Sequence, residues 1–126
     1  MRDVVSSRGA PAAIGPYSQA LRAGGFLFIS GQIPLDPESG QVVDGDVAAQ
    51  THRVMQSLGA ILKAAGASYE HVVRTTIFLT DLTDFALGND VYGSYFAAPA
   101  PTRATVQVAA LPKGVSVEID AIAYLA

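Results

Sequence analysis

The chain has 126 residues, a net charge of −3 and no cysteine. That length fits one domain spanning 1–126, and the lack of cysteine excludes disulfides and thiolate chemistry. With no run of Lys or Arg, a nucleic-acid surface is not expected, and no stretch nears the ~18 apolar residues of a membrane span.

Taken in order, residues 3–7 read as a short edge strand, and Pro11 to Pro16 as a loop turning at Gly15-Pro16. Ser18 to Ala23 and Phe26 to Ser30 read as a β-hairpin about Gly24-Gly25, the second strand buried because both its faces are apolar. Residues 34–46 are loop, rich in Pro, Asp and Gly, with Gln41 to Val43 briefly extended. Asp46 to Ala65 is a helix whose Val47, Val54, Met55, Leu58, Ile61, Leu62 and Ala65 form a 3.6-period stripe. Asp44 and Asp46 stand at its N-terminus and Gly66 just beyond its end, where caps are expected. Val72 to Thr80 is a strand. Asp84 to Phe96 is a second helix, capped by Asp81 or Asp84, with Phe85, Tyr92 and Phe96 on one side.

The last third organises the rest. Pro101 to Val108 and Val115 to Ala123 both alternate like strands, separated by Leu111-Pro112-Lys113-Gly114. The order β-β-β-α-β-α-β-β predicts an α+β sandwich, one mixed sheet with two helices on one face. Strands apolar on both sides leave the other face needing cover, which oligomerisation would supply. Alternation puts Arg103, Thr105 and Gln107 on one face and Ala104, Val106 and Val108 on the other. Arg103 is the only cation among its near neighbours, in a segment too apolar for ordinary surface. A buried guanidinium needs an anion and suits a carboxylate that accepts two parallel hydrogen bonds. Glu118, on what reads as the adjoining strand, is the nearest carboxylate of note.

The run Pro-Thr-Arg-Ala-Thr-Val, then Leu-Pro-Lys-Gly and Val-Glu-Ile-Asp-Ala-Ile-Ala, resembles the signature of the Rid family (RidA/YjgF type), the reactive-intermediate deaminases. The resemblance extends to Ala13–Ala20, to Ile29–Pro34 and to Arg74–Asp81, and covers nearly the whole chain. It implies a chorismate-mutase-like fold, a homotrimer, and ligand sites in the clefts between subunits.

It also implies roles, each with a plainer alternative. Arg103 matches the arginine that holds the carboxylate of a 2-imino acid; otherwise it forms an ion pair with Asp120 or a C-terminal carboxylate. Glu118 matches an acid that orients a water; otherwise it is a solvent-facing strand residue. Tyr17 would lie over the ligand, or simply pack. Gly31, lacking a side chain, would let a ligand approach the main chain, with Ser30 offering a hydrogen bond, unless that hydroxyl bonds backbone instead. Thr105 stands where many family members have cysteine, and its backbone carbonyl would hold the substrate nitrogen. Asn89 matches an asparagine on the second helix, or is a helix-surface residue.

The two histidines, His52 and His71, have no metal-ligand or triad spacing, and no phosphate loop appears, so neither metal nor cofactor is expected. The expectation is a cytoplasmic 2-iminobutanoate/2-iminopropanoate deaminase producing 2-keto acids and ammonia. The rivals are a non-catalytic carboxylate binder or holdase and, more weakly given the acidic pI of about 5.1, a ribonuclease or translation inhibitor.

Overall fold

A computed structural model describes residues 1–125. Six strands, β1 (Arg2–Val5), β2 (Ala20–Ala23), β3 (Phe26–Gln32), β4 (Val72–Leu79), β5 (Thr102–Gln107) and β6 (Val117–Tyr124), form one sheet in the order β1-β2-β3-β6-β4-β5. All neighbours are antiparallel except β4 and β5, which are parallel. Two helices, α1 (Val47–Ala64) and α2 (Phe85–Gly93), complete the α+β architecture.

α1 begins where Asp46 accepts a hydrogen bond from the Ala49 amide at 3.1 Å, and Gly66 beyond its end has φ +78, a conformation glycine adopts without strain. Its buried stripe of Val47, Val54, Met55, Leu58, Ile61 and Leu62 packs in one core with Leu27, Ile29, Ile77, Leu79, Val117 and Ile119 of the sheet. Gln50 joins the two layers from the side, accepting from the Ser116 amide at 2.8 Å.

Three expectations need correction. First, β5 and β6 do not adjoin: β4 lies between them. The segment Leu111–Gly114, with Lys113 at φ +59, therefore carries the chain past a strand instead of closing a hairpin. The reason is the unit β4-α2-β5, in which a helical crossover joins neighbouring parallel strands. Second, β3 is buried on one face only within the protomer. Leu27 and Ile29 are enclosed, whereas Phe26 and Phe28 are 43% and 47% exposed on the side away from the helices. Third, the second helix is shorter than expected. Asp81 caps a 3-10 turn over Leu82–Asp84 by accepting from Thr83, while Asp84 caps nothing through its side chain.

Candidate active site

Pleating decides where each candidate points. On β6, Val117, Ile119 and Ala121 face the helices and are buried, so Glu118 and Asp120 face the opposite side. On β5, Arg103 stands in register with Thr75 of β4, whose hydroxyl is 2.6 Å from that of Tyr92 on α2. Arg103 itself donates from Nη1 to Asn89 Oδ1 of α2 at 2.6 Å. It therefore faces the helices, at the sheet edge. Arg103 and Glu118 lie on opposite faces of the sheet, separated by β4, and do not form a single site within one protomer.

Arg103 is exposed, contrary to the expectation of a buried guanidinium, and among the described residues it has no carboxylate partner. Neither Asp120 nor Glu118 pairs with it; the Asp120 carboxylate instead accepts from the Thr76 amide at 3.1 Å. Thr105, two residues on and on the same face, has a buried hydroxyl with no hydrogen-bond partner. β5 is an edge strand, so its outward backbone groups are free to meet a ligand. Asn89, Arg103 and Thr105 thus make one cluster, held by α2 and β5.

The second cluster lies about the ends of β3 and β6. At Gly31 the space a Cβ would take is held by the Glu118 carboxylate, the far end of a flexible side chain that any added side chain would push aside. Burial pushes the Glu118 carboxyl above its ordinary value, and the negative charge of Asp120 raises it further. Tyr17 is about half exposed and, with Gly31, Gln32 and Lys113, lines an open cleft of about 710 Å³. Its loop is fixed by buried Gln19, which accepts from the Ser7 amide at 2.7 Å and donates to the carbonyls of Ser7 and Pro11. The Ser30 hydroxyl donates to the Ser18 carbonyl at 2.6 Å, the backbone bond that was the plainer alternative for this residue. Its lone pairs remain available to accept.

The motifs name residues of both clusters, but three features lie beyond them: Arg103 and Glu118 are not on adjoining strands, Gly31 makes room for Glu118, and Phe85 and Tyr92 stand beside Arg103. The 3.6-residue spacing of Phe85, Asn89 and Tyr92 was the available signal for the last. Among the described residues no three His, Cys, Asp or Glu side chains gather as a metal site would require, and no helix is long and apolar enough to cross a membrane.

This arrangement of sheet and helices belongs to a known class. The family model described as Endoribonuclease L-PSP matches residues 7–125. Protein DfrA of Myxococcus xanthus is 60% identical over 124 residues, covering 97% of this chain and 95% of that protein. A mouse protein named 2-iminobutanoate/2-iminopropanoate deaminase is 51% identical over 123 residues, covering 98% and 91%. The crystal structure of Escherichia coli TdcF with bound serine superposes with a TM-score of 0.94 at 43% identity, covering 98% and 99%. The chain belongs to the YjgF/RidA family.

Proposed function

We propose that the protein hydrolyses 2-imino acids, and the enamines that tautomerise to them, to 2-keto acids and ammonia, in sites completed between subunits of a homotrimer. The observation that carries this reading is the division of the two clusters. Arg103 sits on one face of the sheet and Glu118 on the other, so if both act on one substrate a second copy of the chain must bring them together. The exposed aromatic face of β3 supplies apolar surface for that association. The mouse relative's name states this activity, and TdcF is described with an amino acid bound.

In this mechanism Arg103 of one protomer grips the substrate carboxylate through two parallel hydrogen bonds. The backbone carbonyl of Thr105 accepts from the imine N–H, and the edge position of β5 leaves outward carbonyls for this purpose. Across the interface Gly31 leaves the space in which the Glu118 carboxylate stands, the Ser30 oxygen accepts a hydrogen bond, and Tyr17 covers the reacting carbon. Glu118 holds a water against C2 and takes its proton as the C–O bond forms, while the C=N electron pair moves to nitrogen, to which Glu118 passes that proton. The carbinolamine then collapses. Glu118 takes the hydroxyl proton as C=O forms and hands it to nitrogen as the C–N bond breaks, so ammonia departs with both protons of the water and Glu118 is left as the carboxylate. A carboxylate with a raised proton affinity suits both halves of this transfer. The chain's own residues supply every group in this sequence, so no cofactor is invoked.

The test is a coupled assay in which a threonine dehydratase generates the imine and keto-acid appearance is followed. The protein should accelerate the hydrolysis step and Arg103→Ala should abolish the acceleration. Saturable binding of a small carboxylate without any acceleration would establish the non-catalytic alternative.

A further inference from the structure

α2 carries three side chains toward one guanidinium. Phe85, Asn89 and Tyr92 are spaced i, i+4, i+7 and so share one helix face. The Arg103 guanidinium carbon lies 5.5 Å from the Phe85 ring centroid and 5.1 Å from that of Tyr92, both within cation–π range. Asn89 Oδ1 accepts from Nη1 at 2.6 Å. Tyr92 is 4% exposed and is itself anchored by its hydroxyl to Thr75, 1% exposed, which stands beside Arg103 in the β4-β5 register. None of these groups carries a charge that would pair with the arginine.

The geometry points to α2 as a neutral socket that orients Arg103 without neutralising it: Phe85, Asn89, Tyr92 and, through Tyr92, Thr75 are positioning residues for carboxylate recognition. The chemical logic is specific. A flexible, exposed arginine must be immobilised before it can present a planar fork, and each immobilised long side chain costs entropy on binding. An aspartate or glutamate would fix it equally well but would compete with the substrate carboxylate. Aromatic faces and an amide oxygen fix it while leaving its charge and its remaining N–H donors for the ligand. Asn89 therefore acts on the substrate through Arg103.

This inference rests on the reading of Arg103 as the carboxylate clamp, and the experiment separates the two. Binding of 2-oxobutanoate, the product keto acid, is measured calorimetrically on the full-length protein and on Arg103→Ala, Phe85→Leu, Asn89→Ala and Asn89→Asp, together with KM and kcat in the coupled assay. Phe85 is a partly exposed residue, and leucine there keeps the apolar contact while removing the ring. The expected result for Phe85→Leu is affinity weakened about 3–10-fold, the loss of one cation–π contact, with KM rising more than kcat falls. Asn89→Asp should weaken affinity more than Asn89→Ala, because it ties the guanidinium to an internal anion. A merely structural role for α2 would not produce that order. Wild-type affinity in Arg103→Ala would overturn the clamp itself. Lost affinity in Arg103→Ala with wild-type affinity in both Phe85→Leu and Asn89→Asp would overturn the socket and leave the clamp standing.

Discussion

In the proposed reaction two side chains carry the chemistry, and their protonation and geometry make separable predictions. Arg103→Lys keeps the charge but not the planar fork, so kcat/KM should fall by about 10²-fold or more, measured in the coupled imine assay. Glu118 is an acid whose proton affinity is raised by burial and by Asp120. The folded state therefore binds more protons than the unfolded state between the ordinary carboxylate value and the raised one, and stability falls as pH rises through that window. Two results follow. The acid limb of the kcat/KM profile should lie above the range of an ordinary glutamate. Glu118→Gln should lower activity by about 10²–10⁴-fold yet raise the melting temperature at neutral pH, where the wild-type carboxylate is ionised at a cost. Gly31→Ala offers a complementary check. The added methyl meets the movable end of the Glu118 side chain, so activity should drop while the melting temperature changes little.

At the scale of elements, α1 was legible because its stripe, its Asp46 cap and its terminal Gly66 all agreed. Replacing Leu58, 2% exposed in the core, by alanine should cost about 2–5 kcal/mol in denaturant unfolding. The placing of β5 was not legible in the same way. Alternation tells which face a residue occupies, but nothing about which strand lies next to it. Arg103 and Glu118 belong to strands consecutive in sequence, yet β4 lies between those strands in the sheet. The pattern strand, helix, strand at β4-α2-β5 was the better guide, since that connection favours parallel neighbours and pushes β6 to the far side of β4. The role of Tyr92 was hidden for another reason. An aromatic stripe on a helix normally signals core, and Tyr92 is indeed buried; that the same ring also stands beside Arg103 depends on the β4-β5 pairing, which the stripe does not encode.

For the whole molecule, the sheet has a helix-covered side and a side bearing exposed Phe26, Phe28 and Tyr124. The sequence indicated apolar strands on both faces; the protomer buries only one set. Phe28→Glu should therefore shift the protein toward monomer in sedimentation analysis. It should also abolish deaminase activity although Arg103 and Glu118 remain intact. On the proposed reading assembly and catalysis are the same requirement, because Arg103 and Glu118 on a single chain look away from one another.

Subunit mixing tests that requirement most directly. Arg103→Ala and Glu118→Gln proteins, each expected to be almost inactive alone, are exchanged into mixed oligomers and assayed. If every site takes its arginine from one chain and its glutamate from the next around a ring, an equal mixture should recover about a quarter of wild-type activity, since one orientation in four unites two intact groups. Full exchange, verified by mass, with no recovered activity would contradict a site shared between chains.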